Sequence, residues 1–157
     1  MASQQLRIGR VSCVGNVYAV TAVCHQRRRY FLDHASVQIV GETIRTLDQQ
    51  ALTLSFAWVL MPDHLHWLFE LRTGSLARCI QLLKGRSSLL INRQRGERAT
   101  VWQPGYYDHA LRSEESLRQQ ATYILANPLR AGLAQQLGDY PHSWCRWPLE
   151  STSRADL

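Results

Sequence analysis

Two histidines stand one residue apart in MPDHLHWLFEL, residues 61–71, after a Pro-Asp turn and inside an apolar run. Side chains two apart in an extended strand point to the same side. His64 and His66 then share a face with Leu68 and Glu70, while Leu65, Trp67, Phe69 and Leu71 make an apolar face that must be core. Both imidazoles project away from that core, side by side. Neutral imidazoles so placed make a claw for a divalent metal. A pair of surface or half-buried histidines without a ligand is the competing reading, and HxH alone is too short to decide between them.

A further polar group comes from SEESLRQQATYILANPLRAGL, residues 113–133. Its helical spacing gives an apolar stripe of Leu117, Ala121, Ile124 and Leu125. Tyr123 lies far round from that stripe, and Asn127, four residues on, lies on the same side as Tyr123. A tyrosine at the edge of an amphipathic helix, and an asparagine ending a helix before Pro128, are each ordinary explanations as well.

These groups need a scaffold to hold them. VYAVTAVC (17–24) and ALTLSFAWVL (51–60) read as strands, with Leu52, Leu54, Phe56, Trp58 and Leu60 on one face of the second. HQRRRYF reads as a basic loop between the first strand and a helix. Asp33 caps that helix, which runs to about Gln50 through Val37, Ile39, Val40, Ile44 and Leu47. HLHWLFEL (64–71) returns as a third strand. A second helix covers about 76–93, started at Thr73-Gly74-Ser75 and closed near Gly96. VWQPGYYDHAL (101–111) is an irregular strand broken at Pro104-Gly105. Ser113-Glu114-Glu115 starts the last helix, with acids suited to its dipole. From Gly132 the chain is turn-rich. The order β-α-β-β-α-β-α is an α+β, ferredoxin-like split βαβ plan with one further helix. Helices cover one face of an antiparallel sheet and leave the other for ligand. A single domain is expected over 1–157, with its core at about 14–147 and a flexible tail at about 148–157.

The 157 residues carry a net charge of +6, and only Lys84 among the 18 basic residues is lysine. Arginine presents a planar fork that matches phosphate and stacks on bases. The clusters Arg27-Arg28-Arg29, Lys84/Arg86 and Arg93/Arg95/Arg98, with Arg112, Arg118 and Arg130, favour a polyanionic partner, most simply nucleic acid. A generally solvated basic surface is the plainer alternative. Cys13, Cys24, Cys79 and Cys145 form no CxxC pair, which argues for reduced thiols and against a zinc or disulfide framework. No apolar run is long enough to cross a bilayer and MASQQLRIGR lacks a signal-peptide core, so a cytoplasmic protein is expected.

Taken in order, the motifs resemble a known family. MPDHLHWLFEL resembles the HUH motif (His, bulky apolar, His) of single-tyrosine nucleases, and Tyr123 in YILANPLRAGL resembles their tyrosine helix. LKGRSS (83–88), VWQPGYYDHALRSEESL (101–117) and YILANPLRAGL (123–133) are similar to one branch, the REP-associated tyrosine transposases. The likeness spans roughly residues 17–145. One departure is Ala19 in VYAVTAV, where the family carries a histidine in a YHVT-like segment that helps recognise DNA.

The resemblance implies site-specific cleavage of single-stranded DNA at the foot of palindromic REP hairpins, by a monomer or homodimer associated with the bacterial nucleoid. It implies that His64 and His66 hold a divalent metal with Asn127 as third ligand, and that Tyr123 is the nucleophile. Mixed N/O ligation without thiolate suits Mg²⁺ or Mn²⁺. Attack by the phenol yields a 5′-phosphotyrosine and a free 3′-hydroxyl, a bond that can be resealed without ATP; no P-loop occurs in the sequence. Arg27, Arg28, Arg29, Lys84, Arg86, Arg112 and Arg130 are the expected backbone contacts, and exposed aromatics such as Tyr106, Tyr107 or Trp102 could stack on unpaired bases, with core packing the better reading for Trp102. Two rival readings stand beside this one. The first is a catalytically silent protein that binds REP hairpins. The second is a small-substrate metallohydrolase using Asp108 or His109 with the histidine pair, and Tyr107 is a rival nucleophile.

Overall fold

The structure is a computed structural model that describes residues 11–112 and 116–149. Five strands form one antiparallel sheet: β1 (Val17–Val23), β2 (Thr53–Met61), β3 (His64–Leu71), β4 (Tyr107–Ala110) and β5 (Ser143–Cys145). The spatial order is β4-β1-β3-β2-β5. Helices α1 (His34–Gln49) and α2 (Leu76–Arg95) connect β1 to β2 and β3 to β4, and α3 (Leu117–Leu125) and α4 (Asn127–Arg130) follow β4. The first four strands have the predicted split βαβ order, and β5 adds an edge beside β2.

The sheet separates two apolar clusters. On one side Tyr18, Val20, Ala22, Leu65, Trp67, Phe69 and Leu71 pack against Val37, Val40, Ile44 and Leu47 of α1 and Cys79, Ile80 and Leu83 of α2. Asp33 caps α1 as expected, accepting from the Ala35 amide at 3.1 Å. Gly96, at φ 66°, ends α2 in the left-handed conformation that glycine adopts without strain. Within this core the Ser55 hydroxyl accepts from Trp67 Nε1 at 2.8 Å and lies 2.9 Å from Asp48 Oδ1. That chain gives the buried indole N–H and the carboxylate partners.

The second face is not left open along its whole width. Ala121, Ile124 and Leu125 of α3, with Ala126, close over Phe56, Ala57, Val59, Met61 and Leu68, and Leu117 packs at the margin. The helix covers the β2–β3 half of this face.

Four sequence readings are corrected. The apolar residues of the second strand do not share a face. A bulge between Ser55 and Ala57 shifts the register, so Leu52, Trp58 and Leu60 join the first core while Leu54 and Phe56 join the second. The loop HQRRRYF contains two 3₁₀ turns that bury Tyr30 and Phe31. The turn-rich C-terminal stretch supplies β5, whose Trp144 pairs with Trp58, and Trp147 and Leu149 pack on the second core. The last helix begins at Leu117 with Ser116 as its cap and stops at Leu125, short of Pro128. The proposed start at Ser113-Glu114-Glu115 lies outside the described residues, as does the tail at 150–157.

Ser55→Ala removes an acceptor from a buried indole and a partner from Asp48. Urea unfolding is expected to show a loss of roughly 1–3 kcal/mol, with no change in the metal response of the histidine pair, which stands on the other face.

Candidate active site

The β1–β3–β4 register decides which side chains meet. Thr21 lies opposite His66 on β3 and opposite Tyr107 on β4. Val59 of β2 stands on the far side of His66. The row Tyr107–Thr21–His66–Val59 therefore crosses the second face, with His109, Ala19, Leu68 and Ala57 in the next row. Asp108 pairs with Val20, whose side chain belongs to the first core, so Asp108 stands on the opposite side of the sheet from His66.

The two imidazoles converge. His64 Nε2 and His66 Nε2 are 3.1 Å apart, with the rings nearly perpendicular at 86°. Each ring is held from behind. Asp63 Oδ1 lies 2.7 Å from His64 Nδ1, and Thr21 Oγ1 lies 3.0 Å from His66 Nδ1. When each Nδ1 carries its proton toward these oxygens, both Nε2 lone pairs face one point, where they repel unless a cation lies between them. Two ligands at about 2.1 Å in neighbouring positions of an octahedron stand about 3.0 Å apart. The observed separation fits a shared divalent ion, and oxygen partners behind metal-binding histidines fix their tautomer and orientation. Among the described residues no group of three or more His, Cys, Asp or Glu is placed to hold a metal. Among the described residues, Asn127 lines the same cleft as His66.

Burial, followed by the positive charges of His64 and Arg130, lowers the His66 pKa to about 4. The ring stays neutral at physiological pH, as a ligand must. Partial burial raises the Asp63 carboxyl, but His64 and Arg27 outweigh it and hold the pKa below the usual value. Arg27, at φ 56°, reaches Asp63 at 3.6 Å.

A cleft of about 310 Å³ opens beside His66. Ala19, Thr21 and His66 come from the central strands, Tyr107 and His109 from β4, and Gln120, Tyr123 and Asn127 from the helices. Tyr123 is 64% exposed and Tyr107 43%, so both phenols are accessible. Helix α3 stops at Leu125, leaving the carbonyls of its last turn to be satisfied from elsewhere. Asn127 Nδ2 donates to Ile124 O at 2.7 Å, which turns the other arm of the amide away from the helix. Arg130 Nη2 donates to Tyr123 O at 2.7 Å, and its guanidinium carbon lies 4.4 Å from the Tyr123 ring centroid.

The expected DNA contacts are spread more widely. Arg130 is at the cleft and Arg27 beside Asp63. Arg29 and Arg112 are exposed in the segments after β1 and β4. Arg28 instead makes a paired contact with Glu97, at 2.8 Å to each oxygen, and stacks on Tyr30. Lys84 donates to the carbonyls of Gln103, at 2.9 Å, and Gly105, holding the Pro104-Gly105 loop. Arg86 bonds Gln50 at 3.2 Å. Lys84 and Arg86 ride on α2, on the opposite side of the sheet from the histidines. Trp102 is buried in the first core, as its preferred reading had it, and Tyr106 is buried there too, which removes it as a stacking platform. Thr21 and Asp63 did not emerge from sequence reasoning. Asp63 was visible there as the residue before the first histidine, whereas Thr21 needed the strand register.

Comparison with known proteins identifies the family. Residues 13–127 match the family described as "Transposase IS200 like". The chain belongs to that family. This chain is 32% identical to the REP-associated tyrosine transposase of Escherichia coli K12 over 92 residues, covering 55% of this chain and 51% of that protein. It thus spans about half the length of that relative. A Haemophilus influenzae protein named "Putative REP-associated tyrosine transposase" is 24% identical over 140 residues, covering 82% of this chain and 79% of that one. The fold superposes with a TM-score of 0.70 and 25% identity on a REP-associated tyrosine transposase bound to a REP hairpin, covering 85% of this chain and 79% of the other. No helix among the described residues is long and apolar enough to cross a membrane.

Because His66 titrates at about 4 when folded and near 6.5 otherwise, the unfolded chain takes up a proton first as pH falls. Its contribution to stability is complete above pH 6.5 and is lost toward pH 4, on the order of 3 kcal/mol at most. Denaturation of the EDTA-treated protein across this window checks it, and His66→Gln flattens the profile. Asp63→Ala is expected to weaken Mn²⁺ binding about 10–100-fold in calorimetry.

Proposed function

We propose that this chain is a metal-dependent endonuclease and strand transferase for single-stranded DNA at REP-type hairpins, with Tyr123 as the nucleophile. The observation that carries the reading is the cleft that His66 lines together with Tyr123 and Asn127, with His66 Nε2 3.1 Å from His64 Nε2. Family membership and the likeness to a hairpin-bound relative support the substrate class.

His64 and His66, with the amide oxygen of Asn127, would hold Mg²⁺ or Mn²⁺. When bound, the ion supplies positive charge to a non-bridging oxygen of the scissile phosphate. The Tyr123 phenol oxygen forms a bond to phosphorus as the bond from phosphorus to the 3′ oxygen breaks. The phenol proton leaves to solvent, and the departing 3′ oxygen gains one. The products are a 5′-phosphotyrosine and a strand ending in a 3′-hydroxyl. Attack by such a hydroxyl on the phosphotyrosine reverses these changes and joins strands without ATP. Asp63 and Thr21 hold the imidazoles in the ligating tautomer, and exposed Arg27, Arg29 and Arg112 contact phosphates. Such chemistry takes place on bacterial DNA in the cytoplasm, at the nucleoid.

A small-substrate hydrolase would draw on His109, which also lines the cleft, while Asp108 pairs with Val20 on the other side of the sheet; it predicts turnover with no protein–DNA adduct and gives Tyr123 no role. A silent hairpin-binding protein would keep the basic surface without the reaction. Denaturing gels of the chain with labelled REP-like hairpin strands in Mn²⁺ separate the two. A covalent adduct is expected, abolished by Tyr123→Phe with hairpin affinity kept within about twofold. His66→Ala slows adduct formation on the order of a hundredfold, and Tyr107→Phe retains it. Wild-type binding with no adduct assigns the silent role, and an adduct surviving Tyr123→Phe rejects Tyr123.

A further inference from the structure

We propose that Arg130 is a positioning residue for the attacking phenol, and that this, more than phosphate binding, is its main task. The proposal rests on the reading of Tyr123 as nucleophile. Arg130 touches Tyr123 twice, from seven residues away and across the break between α3 and α4. The guanidinium stacks over the ring with its carbon 4.4 Å from the centroid. One of its nitrogens donates to the Tyr123 carbonyl at 2.7 Å. Side chain and backbone of one residue are thus gripped by one planar cation.

Such a grip answers a specific need. Tyr123 is 64% exposed, so apolar packing does little to select its rotamer. In-line attack requires the phenol oxygen to lie near the phosphorus in one orientation, and misplacement by an ångström is costly. A flat cation over the ring, tied at the same time to the ring's own backbone, removes orientations at a place where the core cannot. Arg130 reaches Tyr123 across the break at Ala126, and the buried Pro128 and Leu129 fix α4 itself. Lysine carries the charge but is a compact ammonium without a planar fork, and cannot stack and bond in this way.

A phosphate contact and a positioning role predict different losses. Removing a phosphate contact weakens DNA binding uniformly and lowers the salt slope by about one, while the rate at saturating DNA persists. Removing a positioning contact lowers the saturated rate and leaves affinity nearly unchanged.

The full-length chain, a labelled REP-like hairpin strand and Mn²⁺ provide the test. Affinity is read by anisotropy, and the rate of adduct formation is read at saturating DNA. Arg130→Ala and Arg130→Lys are both expected to lower the saturated rate about 10–100-fold, with affinity changed less than about threefold. Added guanidinium ion should restore part of the rate to Arg130→Ala. A full rate in Arg130→Lys, or weakened affinity with an unchanged saturated rate, overturns the proposal. A second readout does not depend on turnover: the ¹⁹F resonance of 3-fluorotyrosine at position 123, assigned through Tyr123→Phe. It should shift or sharpen in Arg130→Lys as the ring gains freedom, and an unchanged resonance overturns the proposal. If wild-type protein forms no adduct, the nuclease reading fails by itself, and the resonance still decides whether Arg130 holds the ring.

Discussion

The alternation of side chains along β3 is the constraint on which the site depends. A single eight-residue strand must bury Leu65, Trp67, Phe69 and Leu71 on one side and present His64 and His66 on the other. The apolar residues cannot leave their core without a large loss of burial, so they fix the register to which the histidines are bound. The neighbouring strands follow from it. Once β3 is set, antiparallel pairing brings Thr21 against His66 and carries the turn at Asp63 to the back of His64. The strength of the core on one face becomes the accuracy of two ring nitrogens on the other.

The helical half of the site works through an ending. Helix α3 stops one residue before Ala126, and its last carbonyls meet the side chains of Asn127 and Arg130 in addition to backbone amides. Capping and chemistry fall to the same residues here. The amide that satisfies Ile124 also aims its other arm, and the guanidinium that satisfies Tyr123 also lies on the ring. A continuous helix through residue 130 would have filled those carbonyls with its own amides and left Asn127 and Arg130 without this work.

Much of this was legible in the sequence, for reasons that differ between elements. Strand β3 was readable to the residue, since apolar residues at every second position from Leu65 to Leu71 and the polar His64, His66 and Glu70 between them admit one assignment. Helix α1 was readable because Asp33 marks its start and the apolar spacing continues for four turns. The bulge at Ser55 was hidden, because an inserted residue leaves no mark in composition when apolar residues flank it on both sides. Strand β5 is three residues long and pairs with a strand more than 80 positions away, so no local pattern announces it. Tyr123 stood out by its distance from the apolar stripe and Asn127 by lying four residues on, and both line the cleft beside His66, whereas the partners behind the rings were not visible. Arg28 and Lys84 looked like phosphate ligands because charge is visible in a sequence while a carboxylate or loop carbonyl awaiting it is not.

The sheet stands between two cores, and they draw on different stretches of the chain. The first takes most of its residues from positions 18–91. The second needs Ala121 through Leu137 to close over β2 and β3. Synthesis on the ribosome runs from the amino end, and regions completed early can fold early. The paired imidazoles and most of the first core therefore precede the phenol in the order of synthesis. The reactive group arrives last, as a lid laid over a finished floor.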